Sequence, residues 1–222
     1  MRTVVLNPKG GSGKTTIATN LAAYYAQQGE HPALMDADPQ GSSARWLRKR
    51  PADAPAIHGI SAFERSTGVT RSWQLRVPLH CTQVIVDTAA GLGAQELREV
   101  ARSADAILVP VMPSDIDIHA AAQCISDLLL VAKIRRSEGR IGIIANRVRR
   151  NTRAFTSLLR FLESLDIPLL ASLRDSQNYV RSAEFGRGIH EMPNWQVGKD
   201  VDQWRAITDW LRTRALGLAQ DR

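Results

Sequence analysis

Cysteine is almost missing from this sequence: two residues in 222, Cys81 and Cys124, far apart and in no C-x-x-C spacing. That excludes a disulfide framework and a cysteine-held metal site, and it leaves both as small buried apolar residues. Long hydrophobic runs are missing too. The longest, such as AILVPVM at 106–112, fall far short of the roughly 20 residues a membrane-spanning helix needs. Met1 leads directly into a strand-like TVVL without the basic-then-apolar layout of a signal peptide, so a cytoplasmic protein is expected. Lysine is scarce, at positions 9, 14, 49, 133 and 199 only, and the rest of the 29 basic residues are arginine. The net charge is nevertheless +7, and that excess points to a polyanionic partner.

What is present is alternation. Short aliphatic runs, TVVL (3–6), PALMD (32–36), QVIVD (83–87), AILVPV (106–111), IGIIAN (141–146) and PLLASL (168–173), are separated by helix-period segments such as KTTIATNLAAYYAQQG and TRAFTSLLRFLESL. Continuous apolar strands separated by helices predict a doubly wound α/β domain, its sheet mostly parallel and covered by helices on both faces. Ligands of such sheets bind at the carboxyl ends of the strands. One domain is expected over 1–222. The stretch 48–80, with Pro51, Pro55, Gly59 and Gly68, reads as irregular surface with one short helix or strand. In the last segment Val201, Trp204, Ile207, Leu211 and Leu218 share one helical face, which predicts packing on the sheet.

The segment NPKGGSGKTT (7–16) follows the first strand and opens the first helix. Glycines at 10, 11 and 13 permit positive backbone dihedrals and close approach, so that backbone N–H groups face an anion with a helix dipole behind them. Lys14 is placed to neutralise the β- and γ-phosphates and the Thr15 hydroxyl to bind Mg²⁺. Two features depart from G-x-x-x-x-G-K-[ST]: Pro8 stands where a glycine is usual, and a second lysine, Lys9, lies inside the loop.

The form K-G-G-x-G-K-T-T after Asn-Pro resembles the deviant Walker A loop of the ParA/MinD family of P-loop ATPases, in particular the short ParA-type partition proteins. DADPQGSS (36–43), VIVDTAAGL (84–92), VPVMPSDIDIHAA (109–121) and LRDSQNYVRSAEFGRGIHEM (173–192) are similar to its switch, Walker B, P-x-x-P-S and C-terminal segments. The resemblance implies ATP and Mg²⁺ as ligands and a nucleotide-sandwich homodimer formed on ATP. In it Lys9 reaches the phosphates held by the partner subunit, beside a cradle of residues Lys9, Gly10, Gly11, Ser12, Gly13, Lys14, Thr15 and Thr16. An ammonium on a flexible stem suits that reach, and a shared triphosphate supplies the negative charge that lets two lysines stand together.

By the same resemblance Asp38 orients the attacking water, Asp36 acts near the Mg²⁺ shell, and Asp87 holds Mg²⁺ through water. Phosphoryl transfer needs mainly positioning and charge neutralisation, so one carboxylate aligning a water suffices. Asn146, read as ending its strand, offers the donor–acceptor pair that an adenine edge requires. Basic residues of the C-terminal third, best matched by Arg174, Arg181 and Lys199, are implied to bind double-stranded DNA without sequence preference. The implied partner is a ParB-type adaptor or a cargo-linked equivalent, and the implied location is the nucleoid. A MinD-like membrane-cycling regulator is the alternative, disfavoured by the DPQ of the switch segment and by Asp202 and Asp209, which interrupt the basic face of the last helix.

Overall fold

The computed structural model describes residues 1–63, 70 and 75–220. The six apolar runs become strands and a seventh joins them: β1 (Arg2–Val5), β2 (Pro32–Asp36), β3 (His58–Ser61), β4 (Gln83–Asp87), β5 (Ala106–Val111), β6 (Ile141–Val148) and β7 (Leu169–Arg174). They form one sheet in the order β3-β2-β4-β1-β5-β6-β7, and every neighbouring pair is parallel. The central strand β1 lies between β4 and β5. After β1 the chain moves to one side of the sheet, and after β4 it crosses to the other, so the carboxyl end of β1 is the switch point where a doubly wound sheet opens a crevice.

The helices among the described residues are α1 (Lys14–Gln27), α2 (Ser42–Arg48), α3 (Ala94–Ser103), α4 (Asp115–Leu130), α5 (Arg153–Glu163), α6 (Gln177–Glu184) and α7 (Asn194–Gln220). They cover both faces, and strand alternation assigns the residues. Val4, Met35, Val86, Ile107 and Ile143 face Leu97 of α3, Ile125 and Leu128 of α4, and Leu158 of α5. Their neighbours Val5, Leu34, Ile85, Leu108 and Ile144 face Ile17 and Leu21 of α1, Trp46 of α2, and Trp204, Ile207 and Leu211 of α7. Burial on both faces is why the strands read as unbroken apolar runs rather than alternating ones.

On α7 Trp204, Ile207 and Leu211 are fully buried, each contributing on the order of 1.5–3 kcal/mol. Val201 and Leu218, at the ends of the stripe, are half-buried. No helix among the described residues is long and apolar enough to cross a membrane.

The short element expected within 48–80 is the strand β3, which pairs with β2 from Ala33–His58 to Asp36–Ser61; part of that stretch, Gly68 included, lies outside the described residues. Helix α2 was not foreseen. It starts because Gly41 adopts a left-handed φ of 62° and the Asp36 carboxylate accepts the Ala44 N–H at 2.8 Å, a long-range cap with no local signature. Cys124 is buried, and burial pushes its thiol up to about 12, but Cys81 is only half-buried, because it lies in the turn before β4 rather than inside an element.

Candidate nucleotide-binding site

Residues 6–13 form the turn between β1 and α1. Gly11 and Gly13 have φ of 79° and 99°, so the turn requires glycine at both. Gly10 corrects the expectation for all three: its φ is not in the left-handed region, and a Cβ there meets nothing within 4 Å, so in this loop it leaves space and relieves no strain. Pro8, where the usual pattern has glycine, precedes the first tight residue and needs no positive φ.

Lys14 opens α1 and is 6 % exposed. Its Nζ donates to the carbonyls of Asn7 at 3.0 Å and Lys9 at 3.1 Å, so the ammonium is folded back under its own loop. Burial pulls its pKa below the usual value, and Asp87 and Asp38 oppose that pull. Lys9 is held at both ends: its N–H donates to Asn7 Oδ1 at 2.8 Å, and its Nζ lies 2.7 Å from Asp117 Oδ2. Asn7 itself is fully buried and anchored by Nδ2 to the Pro110 carbonyl at 2.7 Å.

Asp36 and Asp87 end adjacent strands and are direct register partners. Both are 1 % exposed, and burial raises both, Asp87 to about 6. Opposing burial at Asp36 are the N–H groups of Ala44 and Asp38. At Asp87 the hydroxyls of Ser43 and Thr15 and the charge of Lys14 do so. Ser43 Oγ donates to Asp87 Oδ2 at 2.6 Å, while Asp87 Oδ1 and Ser12 Oγ are buried with no hydrogen-bond partner among the described residues.

A water-coated Mg²⁺ fits this set: an unpartnered carboxylate oxygen, a second carboxylate beside it and the Thr15 hydroxyl at the helix start. Asp38 is half-exposed in the turn after β2, where its Oδ1 accepts the Gln40 N–H at 2.9 Å.

The structure moves Asn146 from the end of its strand to the inside, because β6 runs on to Val148 past an irregularity in which Arg147 takes a φ of 52°. Its Nδ2 donates to the Ser12 carbonyl at 2.8 Å, so the amide clamps the phosphate loop to β6. Beside it opens a cavity of about 430 Å³, lined by Gly11, Gly13, Thr16 and Asn146 on the loop side and by Arg147, Arg174, Asp175, Ser176, Gln177 and Tyr179 on the other.

The three candidate DNA residues are not brought together as one patch of free cations. Arg174 is bound through Nε and Nη2 to the fully buried Asp200 at 2.5 and 2.9 Å. Asn178 Nδ2 and Ser176 Oγ reach the same carboxylate. Burial pushes Asp200 up, but these donors hold it below the usual carboxylate range. Lys199 is exposed and shares a shallow cleft with Arg174 and the exposed Arg150, whereas Arg181 is exposed on α6. Four further residues had no role assigned from the sequence: Asn7, Ser43 and Asp117, although each lies in a segment that carries the family resemblance, and Arg150, in the arginine-rich run RVRRNTR at 147–153.

A glycine turn behind the central strand of a parallel sheet, with a buried lysine at the helix start and paired carboxylates on the neighbouring strands, defines a P-loop nucleotide-binding protein. The chain belongs to the CobQ/CobB/MinD/ParA nucleotide binding domain family, which it matches over residues 3–189. It is 29 % identical over 193 residues to maintenance of carboxysome distribution protein A of Halothiobacillus neapolitanus, covering 85 % of this chain and 86 % of that one.

Among solved structures, the ATP complex of an McdA variant of Cyanothece superposes with a TM-score of 0.70 at 17 % identity, over 97 % of this chain and 96 % of that one. The cell division protein MinD of Aquifex aeolicus superposes with a TM-score of 0.67, also at 17 % identity and over the same shares. These likenesses carry the fold.

Proposed function

We propose that this chain is a slow, partner-stimulated ATPase that positions a cargo on nucleoid DNA. ATP closes a homodimer, the dimer binds double-stranded DNA without sequence preference, and hydrolysis releases it. The observation that carries the reading is the pair of lysines in one loop: Lys14 is 6 % exposed beneath it, while the side chain of Lys9 keeps 33 % exposure at its mouth. A second lysine that is not needed beneath the phosphates is available to a nucleotide bound by another subunit.

In this reading Lys14 leaves the Asn7 and Lys9 carbonyls for the β- and γ-phosphates, and the loop N–H groups and Ser12 Oγ line the cradle. Thr15, Asp36 and Asp87 hold Mg²⁺, which supplies charge neutralisation at the transferred phosphoryl group. Asp38, in a turn and half-exposed, orients the attacking water. Arg150 and Lys199, with Arg181 on the neighbouring helix, supply cations for DNA phosphates, and Arg174 shapes the cleft while bound to Asp200.

The likeness in sequence to a carboxysome distribution protein favours a protein body as cargo over a plasmid or chromosome, with a cargo-linked adaptor in place of a ParB-type protein. A membrane-cycling regulator finds less support, since the apolar stripe of α7 is spent on the sheet.

The test is a salt series of DNA affinities with ATP, with ADP and without nucleotide, beside a phosphate-release assay. About three phosphates per subunit give a slope of log K against log salt of roughly −2.7, and a dimer about twice that. Tight, sequence-independent binding with ATP alone is expected. Equal affinity and slope in all three states overturns the nucleotide switch, and binding to anionic vesicles in place of DNA returns the membrane-cycling reading.

A further inference from the structure

Three of the five histidines, His31, His58 and His80, gather at one end of the sheet. The topology brings them there: His31 stands just before β2, His58 is the first residue of β3, and His80 lies in the turn before β4, so three adjacent strands each carry a histidine at the amino end. Neighbouring strands run about 4.8 Å apart, close enough for imidazoles on adjacent strands to aim at one point. The backbone at these positions is tied down. The Thr82 N–H donates to the His31 carbonyl at 3.1 Å, the Cys81 N–H to that of Pro78 at 3.0 Å, and His58 pairs with Ala33. The His80 ring lies 5.9 Å from the His31 ring and 6.5 Å from the His58 ring, edge to face in both cases, and all three residues are exposed.

We propose that His31, His58 and His80 form a binding site for a divalent transition-metal ion that prefers imidazole, with Zn²⁺ as the type case and water completing its shell. The site lies at the opposite end of the sheet from the phosphate loop, about 13 Å from Asp36 along β2, so the inference stands apart from the nucleotide reading above.

Histidine is the commonest metal ligand, and an exposed imidazole reaches an ion without leaving a buried partner unpaired. With Zn–N bonds of about 2.0–2.1 Å, two rings on one tetrahedral ion have their centroids about 5 Å apart, roughly 1 Å less than the separations here. As the rotamers lie, no three His, Cys, Asp or Glu side chains among the described residues surround a common point. Rotation of exposed rings about their side-chain torsions supplies the difference without moving the backbone.

Glu30 holds its carboxylate at the same end, where Oε2 accepts Thr82 Oγ1 at 2.9 Å and Gln83 Nε2 at 2.7 Å. Its charge favours a cation, and the amino terminus, which donates to the Thr82 carbonyl at 2.9 Å, opposes it. Cys81 is not a ligand, because it packs against the hydrophobic core. Mg²⁺ prefers oxygen ligands, so three imidazoles select against the ion that the nucleotide requires. An ion held here ties β3, at the edge of the sheet, to β2 and β4.

The experiment titrates Zn²⁺ calorimetrically into the nucleotide-free chain in buffer containing Mg²⁺, for wild type, His31→Asn, His58→Asn, His80→Asn and His119→Asn, with sedimentation at the end point. One equivalent per chain is expected with a Kd of about 10 µM or tighter, and each of the first three substitutions is expected to weaken it by about tenfold or more. His119, exposed on α4, is the control, and its substitution is expected to leave the affinity unchanged. Absence of saturable binding overturns the proposal, as does wild-type affinity in any of the first three variants or an equal loss in His119→Asn. Half an equivalent per chain with a doubled mass also overturns it, because the ion then lies between chains.

A measurement on the unsubstituted protein does not depend on any variant folding. The imidazole ¹⁵N signals of His31, His58 and His80 are expected to shift together up to one equivalent of Zn²⁺, while those of His119 and His190 stay in place. Shifts in fewer than three of the cluster, or an equal shift at His119, overturn the three-histidine site.

Discussion

Asn146 and Gly13 are fitted to each other across the phosphate loop: a Cβ on Gly13 would stand 2.0 Å from Asn146 Nδ2, the atom that donates to the Ser12 carbonyl. The glycine is fixed both by its φ of 99° and by the clamp that fills its open side. Gly13→Ala is therefore expected to weaken ATP binding by about tenfold or more, since backbone strain alone is on the order of 1–3 kcal/mol. Asn146→Ala leaves a buried carbonyl without its donor, at about 1–2 kcal/mol of stability. The two changes are expected to be non-additive, the double variant binding ATP better than Gly13→Ala alone, because the second change removes the atom the new methyl meets. Calorimetric titration of the four proteins checks this, and simple additivity would exclude the fit as the cause.

The lysines and Asp38 separate three steps. Lys14→Ala is expected to abolish nucleotide binding, and Lys9→Ala to bind ATP but remain monomeric. Asp38→Ala is expected to retain ATP and Mg²⁺ while turnover drops by about a hundredfold or more, so that an ATP-bound dimer accumulates. Titration, sizing chromatography and phosphate release on the same preparations distinguish them. Turnover near the wild-type rate in Asp38→Ala would move the role to another carboxylate, with Asp36 the next to examine.

Arg50, just beyond α2, reaches Glu191 at 2.5 and 3.0 Å, with side-chain exposures of 7 % and 3 %. The guanidinium also donates to the Gly186 and Pro55 carbonyls and stacks over Trp46. Removing one partner leaves a buried charge uncompensated, so Glu191→Gln is expected to cost about 3 kcal/mol in urea unfolding. A loss under about 1 kcal/mol would mean that the carbonyl bonds alone hold the arginine.

His190 packs against Tyr24 and Trp204 with its Nδ1 unpartnered among the described residues, and burial lowers its pKa from 6.5 to about 4, Glu191 opposing the shift. The folded state therefore binds this proton less readily than the unfolded one. The contribution is full above about pH 6.5 and is lost as pH falls toward 4, by at most about 3 kcal/mol. Asp87, raised from 3.8 to about 6, has the opposite sign: its protonation favours the folded state as pH falls through that window. Because the two partly cancel, the comparison to make is His190→Gln against wild type at each pH between 4 and 7. The stability difference between the two proteins is expected to shift toward the variant as pH falls, and a constant difference would show that His190 does not titrate in that window.

The apolar runs marked six of the seven strands and their parallel character, because strands buried on both faces have no polar side to interrupt them. The NPKGGSGKTT loop was legible for a similar reason: its glycine dihedrals and its lysine are demanded by backbone geometry and charge within ten residues. For β3 only the presence of one short element within 48–80 was legible, not its type, bounds or pairing, and helix α2 was not legible at all. The short HGIS run at 58–61 becomes a strand because β2 offers it an edge, and α2 starts on a carboxylate eight residues away from the N–H it caps.

By itself the sequence determined the doubly wound class, the glycine-rich loop after β1, and the places of Asp36 and Asp87 at strand ends with Asp38 in the turn that follows, all properties of contiguous segments. Tertiary structure decided what those groups face. It set Lys9 on Asp117 across 108 positions, Asn146 on Ser12 across 134, and Arg174 on Asp200 rather than in solvent. A charge or an amide acts on whatever lies within about 3 Å of it, and for these residues that neighbour comes from another element of the sheet.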